Sequence, residues 1–124
     1  MSWNLSKERP IYIQLVEQIK LQILSGHYRP GERFPSVREL ATEAAVNPNT
    51  MQKALAELER EGFVYSKRTS GRFVTDNKEL IENERKNLVK DNVKKTLDTL
   101  INLGYTNEEI LNLVEEILRE DNNE

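Results

Sequence analysis

Two short amphipathic segments, separated by only two residues, constrain this sequence more than any other feature. Each segment has four apolar residues at the spacing i, i+3, i+4 and i+7, which places them on one face of an α-helix. The first set is Val37, Leu40, Ala41 and Ala44, and the second set is Met51, Ala54, Leu55 and Leu58. Because only Ala45-Val46 separates them, the two helices must turn sharply, and the pattern predicts a helix-turn-helix.

Both helices begin at residues that satisfy free backbone amides. Ser36 and Glu39 have the spacing of a capping box, S-x-x-E. Asn47 is a favoured N-cap residue, and Pro48 after it suits the first helical position. The sequence therefore predicts where each of the two helices starts.

The apolar periodicity changes after Gly62. The runs FVYSK and GRFVT are rich in β-branched and aromatic residues and flank Arg68-Thr69-Ser70, so they predict a two-stranded hairpin. Upstream, an apolar stripe predicts a helix that opens at Pro10 and stops before Gly26. The expected fold class is mainly α (α+β): a winged helix-turn-helix domain followed by a two-helix C-terminal dimerisation tail.

Charge and composition divide the chain after Asp76. Residues 1–76 hold 11 lysines and arginines against 9 aspartates and glutamates, whereas residues 77–124 hold 7 against 12. Asp76 with Glu79, and Thr106 with Glu109, predict the starts of two tail helices. We therefore expect a winged helix-turn-helix DNA-binding domain in residues 1–76 and a helical dimerisation region in residues 77–124.

Each tail helix has one apolar face that needs a partner, because two short helices alone are marginally stable. The simplest partner is a second copy of the chain, giving a homodimer; the alternative is packing against the chain's own N-terminal domain. The residues predicted for the dimer interface are Val89, Val93, Leu97, Leu100, Ile101, Ile110, Val114, Ile117 and Leu118.

Several classes of protein are excluded by composition. With no Cys and one His, the chain offers no thiol nucleophile and no multi-His metal site, so we expect no metal, no cofactor and no enzyme activity. It has no apolar run long enough to span a membrane and no signal-peptide pattern at its start, so we expect a cytoplasmic protein without membrane contact. A small-molecule effector is compatible with the sequence, but nothing in it indicates one.

A net charge of −3 argues at first against binding to nucleic acid, whose partners are usually basic. The excess of carboxylates, however, falls in residues 77–124, and residues 1–76 have a net charge of +2. The low total predicts weak non-specific DNA binding and greater dependence on base contacts.

The second helix of the helix-turn-helix has an outer face suited to reading DNA. Asn49, Gln52 and Lys53 recur at helical spacing, with Asn47 and Thr50 beside them at the N-terminus. Asn and Gln can bond adenine bidentately, and Thr can contact a thymine methyl group. The alternative is that the amides are only caps and the face is only solvated.

Two further groups could bind the phosphate backbone. Ser36 and Arg38 lie at the start of the first helix, where an anion would favour the helix dipole. The hairpin tip contributes Lys67, Arg68, Ser70 and Gly71. The alternatives are an Arg38 paired locally with a carboxylate and a hairpin kept soluble by its charges.

The stretch from Pro10 to Val74 resembles the DNA-binding domain of the GntR family of bacterial transcription regulators. The shared features are a PG-x-R-x-PS-x-R-x-LA segment, a V-x-x-x-T start of the recognition helix and a G-x-F-V end of the wing. The form VNPNT-x-QKA and the short tail are similar to the YtrA subfamily. The chain departs from the family at Pro48 and Gln52, where many members have Arg, and at Thr69, where the first wing glycine usually stands.

The resemblance implies a homodimeric repressor that binds a palindromic operator in double-stranded DNA, often of an ABC-transporter operon. By the same resemblance, the DNA contacts would come from Ser36, Arg38, Asn47, Asn49, Thr50, Gln52, Lys53, Lys67, Arg68, Ser70 and Gly71. A second hypothesis, from another class, is a winged helix that serves as a protein-interaction adaptor.

Overall fold

A computed structural model describes residues 3–122, and its elements follow the predicted order. These elements are α1 (Ile11–Leu24), α2 (Val37–Ala44), α3 (Pro48–Arg60), β1 (Val64–Lys67), β2 (Gly71–Val74), α4 (Lys78–Asn102) and α5 (Asn107–Asn122). The fold is mostly helical, with a β-hairpin wing after a helix-turn-helix and two C-terminal helices. No helix within residues 3–122 combines the length and the apolar character that crossing a bilayer requires.

The caps of the helix-turn-helix form as the sequence predicts. The Ser36 hydroxyl accepts a hydrogen bond from the Glu39 amide at 3.1 Å, and the Glu39 carboxylate accepts one from the Ser36 amide at 3.3 Å. At the start of α3, Asn47 Oδ1 accepts from the Asn49 amide at 2.8 Å. Both helices therefore begin at the expected residues, with orphan amides satisfied locally.

The turn between α2 and α3 is held by a residue in the left-handed conformation. Ala45 has φ 57° and ψ 47°. Its amide donates to the Thr42 carbonyl at 3.2 Å, and the Val46 amide donates to the Ala41 carbonyl at 3.0 Å. These two bonds form a Schellman motif, in which glycine is the usual left-handed residue. The sharp turn thus depends on a strained alanine.

We expect Ala45→Gly to stabilise the protein, because glycine adopts this conformation without a steric penalty. The gain in the free energy of unfolding should be about 0.5–1 kcal/mol, since the greater freedom of unfolded glycine offsets part of the relief. Urea unfolding at equilibrium measures it.

The control for this prediction is Ala56→Gly, the same change in the exposed interior of α3. It should cost about 1 kcal/mol, because glycine is a poor helix former. A loss of stability at Ala45 equal to that at Ala56 would show that the turn is not strained.

The core lies where α1, α2, α3 and the wing meet. Most of the predicted inward residues are buried, and Leu40, Met51 and Leu55 have no exposed surface. Val37 is the exception, because it is only partly buried at the first turn of α2. The core also contains Leu15, Ile19 and Ile23 of α1 and Phe63, Val64 and Val74 of the wing. The single core fixes α3 and the wing in one unit.

A third segment extends the wing sheet. β1 and β2 pair antiparallel, with Val64 opposite Val74 and Lys67 opposite Gly71. On the other edge of β2, the Phe34 amide donates to the Arg72 carbonyl at 2.8 Å, and an isolated bridge joins Arg33 to Phe73. The stretch before α2 is therefore fixed against the wing, although the turn-forming residues of GHYRPGERFPS in the sequence indicate only a turn there.

Two helix starts differ from the sequence prediction by one residue. Pro10 is the N-cap residue of α1 rather than its first helical residue. At α4, Asn77 Oδ1 accepts from the Leu80 amide at 3.1 Å, so Asn77 caps the helix in place of the predicted Asp76. A capping side chain accepts a hydrogen bond from an amide two or three residues further on, and here Asn77 rather than Asp76 makes that bond.

The chain divides into two compact units, Met1–Arg85 and Lys86–Glu124. The first unit extends beyond Asp76, because Ile81 is buried and Leu80 packs against the core. In the second unit, the Thr106 and Glu109 capping box forms as predicted, with bonds of 3.0 and 3.2 Å. The first two turns of α4 thus belong to the winged helix-turn-helix unit.

Most of the residues predicted for the dimer interface are exposed in the single chain. Val93 is 51% exposed and Ile117 is 47% exposed, while Leu97 and Leu100 are partly buried. Ile110 differs, because it is only 4% exposed and so offers little surface to a partner. Exposed apolar side chains thus run along both helices of the second unit.

Candidate nucleic-acid interface

The recognition helix α3 separates its two faces cleanly. Met51, Ala54 and Leu58 are fully buried. The opposite face exposes Asn49 and Gln52, as predicted. Side chains on this face point away from the core, and nothing in residues 3–122 covers them. The helix can therefore present amide groups to an external partner.

The residues of α3 predicted to contact DNA differ in how many side-chain donors and acceptors they have available. Asn47 uses its Oδ1 as the helix cap, so only its Nδ2 amide remains to donate. Thr50 is half-buried. Bidentate recognition of adenine needs both a donor and an acceptor, which leaves Asn49 and Gln52 as the side chains with both groups available.

Lys53, which the sequence places on the outer face of the second helix, contacts an aromatic ring of α1. Its Nζ is 3.8 Å from the centre of the Tyr12 ring, a cation–π contact between α3 and α1. The side chain is nevertheless exposed. The contact with Tyr12 therefore positions the Lys53 ammonium group against α1. No pattern in the sequence indicated this contact.

Arg38 is exposed on the first turn of α2. Within residues 3–122 it makes no ion pair and no side-chain hydrogen bond, so the alternative of a local carboxylate partner is not realised. Ser36 accepts one bond as the helix cap, but its hydroxyl hydrogen is still able to donate. The start of α2 thus offers a free guanidinium and a hydroxyl donor side by side.

One cation of the wing, Lys67, packs against its aromatic residues. Tyr65 and Phe73 stack across the strands at 5.8 Å, and Lys67 Nζ lies 4.5 Å from the Phe73 ring centre. Arg68 and Ser70 are exposed at the tip. Gly71 follows with φ 93°, a conformation that suits glycine as β2 begins. The wing therefore presents Lys67 and Arg68 from a rigid hairpin.

Arg72 lies within six residues of Lys67 and Arg68 in the sequence, but it is not a free cation of the wing. Its side chain is 20% exposed, and its Nε lies 3.6 Å from the Glu59 carboxylate. That distance is an ion pair but too long for a hydrogen bond, and Nε has no other partner. Because Glu59 also accepts a bond from the Ser66 hydroxyl, it ties both wing strands to α3.

A basic cleft of about 750 Å³ lies between the start of α2 and the wing. We call it the basic cleft; its charged and hydroxyl lining comprises Arg33, Ser36, Glu39, Ser66, Lys67, Arg68 and Arg72. Four of these side chains are cationic and one is acidic, so the cleft suits an anion such as phosphate. The cleft brings together the predicted residues Ser36, Lys67, Arg68 and Gly71, but not Arg38, Ser70 or those of α3.

Arg33 is the residue of the cleft that sequence reasoning missed. Its guanidinium lies 3.7 Å from the point that a Cβ on Gly71 would occupy, so it covers the base of the wing tip. Strand pairing of Arg33 with Phe73 puts it there. The only sequence signal was its place between a turn and Phe34-Pro35, which does not specify a sheet edge.

The nearby charges on α3 are already paired. The Arg60 guanidinium bonds the Glu57 carboxylate, with Nε to Oε2 at 2.8 Å, and this bond lowers the pKa of Glu57. Lys20 of α1 pairs with Glu61 at 2.7 Å. The charged side chains in the last turns of α3 thus form ion pairs with α1 and with each other. The polar side chains on the outer face of the first turns remain available to a partner.

An exposed amide-bearing helix, a second helix across its N-terminal end and a basic hairpin define the winged helix-turn-helix class of DNA-binding protein. The family model of bacterial regulatory proteins, gntR family, matches residues 11–74. The chain therefore belongs to the GntR family, whose members are DNA-binding transcription regulators and not enzymes.

The chain is similar over most of its length to known proteins of this kind. It is 37% identical over 109 residues to the HTH-type transcriptional repressor YtrA of Bacillus subtilis (strain 168), covering 87% of this chain and 84% of that one. A GntR family transcriptional regulator from Listeria monocytogenes has a TM-score of 0.82 and 36% identity, covering 90% of this chain and 98% of that one. The similarity includes the tail.

A solved DNA complex is also similar to the N-terminal part of the chain. The DNA-binding domain of AraR in complex with operator ORE1 has a TM-score of 0.52 and 31% identity, covering 60% of this chain and 94% of that one. The shared part is thus the winged helix-turn-helix.

Proposed function

We propose that this regulator is a repressor that binds a palindromic operator as a homodimer. The observation that carries the proposal is the open outer face of α3, with Asn49 and Gln52 exposed in the same rigid unit as the basic cleft. This arrangement supplies base-reading amides and phosphate-binding cations together, which specific DNA recognition requires.

In this proposal α3 lies in the major groove with its N-terminal turn at the base edges. Asn49 and Gln52 bond adenines through donor and acceptor pairs, and Thr50 contacts a thymine methyl group. Asn47 donates only, because its oxygen caps the helix. Lys53 packs against the Tyr12 ring and binds a neighbouring phosphate rather than a base.

The phosphate backbone is bound by the start of α2 and by the wing, which meet at the basic cleft. Arg38 and the Ser36 hydroxyl bond it from the start of α2, and the α2 dipole favours the same anion. Arg33, Lys67 and Arg68 bind it in the basic cleft, with Ser70 and the Gly71 backbone at its rim. These contacts fix the register of α3 without reading sequence.

The homodimer is supported by the exposed apolar residues of the second unit. A unit of that size with one buried apolar side chain among residues 86–122 is too small to be stable alone. A second copy covers Val89, Val93, Leu97, Leu100, Ile101, Val114, Ile117 and Leu118. Two-fold symmetry then presents two α3 helices to half-sites about 10 bp, or a multiple of it, apart.

Repression follows from occupying a promoter. The similarity to a protein named as a transcriptional repressor supports this mode, and the resemblance to the YtrA subfamily supports an operon encoding an ABC transporter as the target. Measuring transcripts of such an operon beside the gene, with and without the regulator, tests the target. Transcript levels that rise when the regulator is deleted are expected; unchanged or lower levels contradict repression.

Arg68→Ala should weaken binding to every DNA sequence by the same factor. The reason is that a phosphate contact carries no base information, so operator and unrelated DNA lose it equally. The slope of log K against log salt should fall by about 1. Arg119→Ala removes the same charge from an exposed site on α5 and should leave the slope unchanged. Loss of operator affinity alone would instead assign Arg68 to base reading.

Selection of bound DNA from a random pool, with the full-length protein, tests the proposed function. We expect enrichment of an inverted repeat, because a symmetric dimer reads each half-site in the same way. Equal affinity for all DNA, with no dependence on salt, would contradict it and favour the protein-interaction adaptor.

A further inference from the structure

The two helices of the second unit have opposite charges. Residues 86–102 of α4 contain four lysines and two aspartates, whereas α5 contains six carboxylates and one arginine. No ion pair joins the two helices within residues 3–122, and the one pair of α5 is Arg119 with Glu115. The two helices therefore have complementary charges, but these charges do not pair with each other in the single chain.

The charges of α4 form a row beside its apolar face. Lys86, Lys90 and Lys94 are four residues apart, so they lie along one ridge of the helix. The ridge three residues further on is apolar, and its members are Val89, Val93, Leu97 and Ile101. A partner helix packed on the apolar ridge would thus meet lysines along one edge.

The helix α5 has the matching arrangement. Glu116 and Glu120 lie on one ridge, and Leu113 and Ile117 lie on the next. Both glutamates are exposed and have no partner among the described residues. Glu109 is engaged elsewhere, because the Thr106 amide bonds its carboxylate and lowers its pKa. Glu116 and Glu120 are therefore the acids available to a partner.

Packing within one chain does not bury the apolar ridges of α4 and α5 or pair their charges. α5 does not lie along α4, and Leu113, Ile117 and Val93 keep between 39% and 51% of their surface exposed. Packing α5 against α5 of a second copy would instead bring like charges together, which is unfavourable. Only α4 against α5 of another copy joins apolar to apolar and lysine to glutamate.

We propose that α5 of each copy packs on residues 86–102 of α4 of its partner, with Glu116 and Glu120 facing Lys90 and Lys94. This pairing rests on the proposed homodimer and specifies its contact surface. The apolar ridges supply most of the affinity, and the charges select the partner helix.

Charge reversal in full-length chains tests the pairing. In the variant K90E/K94E the contact ridges of both α4 and α5 are acidic. In the variant E116K/E120K both ridges are basic. Each variant alone should have a dimer dissociation constant about tenfold or more above wild type at low salt. An equimolar mixture should form heterodimers with near wild-type affinity, because both contacts are then complementary. Sedimentation equilibrium and native mass spectrometry measure the species.

The control is K78E/K95E, which reverses two lysines of α4 outside this ridge and should leave dimerisation unchanged. In 1 M salt the differences among all variants should shrink, since screening acts within a few ångströms. Circular dichroism reports whether each variant keeps its helices. Because all the altered side chains are exposed, we expect no loss of fold.

The remaining outcomes distinguish failure of this helix pairing from failure of the proposed homodimer. A monomeric wild type overturns the homodimer itself. A dimeric wild type whose two variants do not recover on mixing overturns only the pairing. Recovery in the fourfold variant K90E/K94E/E116K/E120K, but not in the mixture, assigns the contact to α4 and α5 of one chain. Heterodimers of wild type with E116K/E120K that are tighter than the wild-type homodimer assign it to α5 against α5.

Discussion

A Val93→Glu variant should be monomeric and should bind its operator about a hundredfold or more weakly than wild type. In the proposed dimer Val93 is covered by a partner, and a carboxylate there would lose its water without gaining a counter-charge on the apolar ridge. A monomer then engages one half-site without the linked second contact. Sedimentation and operator titration measure the two effects on the same sample.

Thr99→Glu is the matched control for this change. It adds the same charge to an exposed residue of α4, but on the side of the helix away from the apolar ridge. Since Val93 is 51% exposed in the single chain, a fall in melting temperature should come from loss of the partner, and so should be seen for Val93→Glu but not for the control. A Val93→Glu protein that remains dimeric would place the dimer contact elsewhere.

The second large effect is expected at Asn49. Asn49→Ala should reduce the affinity for the selected operator by about 1–3 kcal/mol and leave the affinity for unrelated DNA unchanged. The reason is that its amide is proposed to read a base edge, while the helix cap uses only its backbone amide. Fluorescence anisotropy with operator and scrambled duplexes, at one salt concentration, measures both affinities.

Variants of matched chemistry sharpen this result. Asn112→Ala removes the same amide from the polar face of α5 and should change neither affinity. Arg38→Ala should also weaken operator binding, and any matching loss on scrambled DNA reports its phosphate contact. Equal affinity of wild type, Asn49→Ala and Arg38→Ala for the operator would overturn the assignment of the interface.

The parts of the fold that local chemistry determines were predictable from the sequence. The capping boxes at Ser36 and Thr106, and the apolar stripe that includes Met51 and Leu55, depend on residues within one or two turns of each other. The period change after Gly62 likewise fixed the position of the wing. Such features need no knowledge of distant neighbours, so the winged helix-turn-helix was confirmed element by element.

The parts that depend on distant contacts were not predictable. Arg72 pairs with Glu59 across the wing and α3, and Lys53 packs on Tyr12 of α1. Arg33 enters the basic cleft only because its backbone joins the edge of β2. Long cationic side chains reach several partners, and tertiary packing decides among them. The sequence therefore identified Lys53, Lys67 and Arg68 as candidate cations, but it indicated neither their tertiary contacts nor the place of Arg33 in the cleft.

The stoichiometry and specificity of operator binding test the central claim most directly. The full-length protein should be titrated into the selected inverted repeat, into one half-site and into a scrambled duplex, with native mass spectrometry of each complex. We expect two chains on the inverted repeat, with an affinity at least about 10³-fold above that for scrambled DNA. A single chain on the inverted repeat, or equal affinity for all three duplexes, would contradict a dimeric operator-binding repressor.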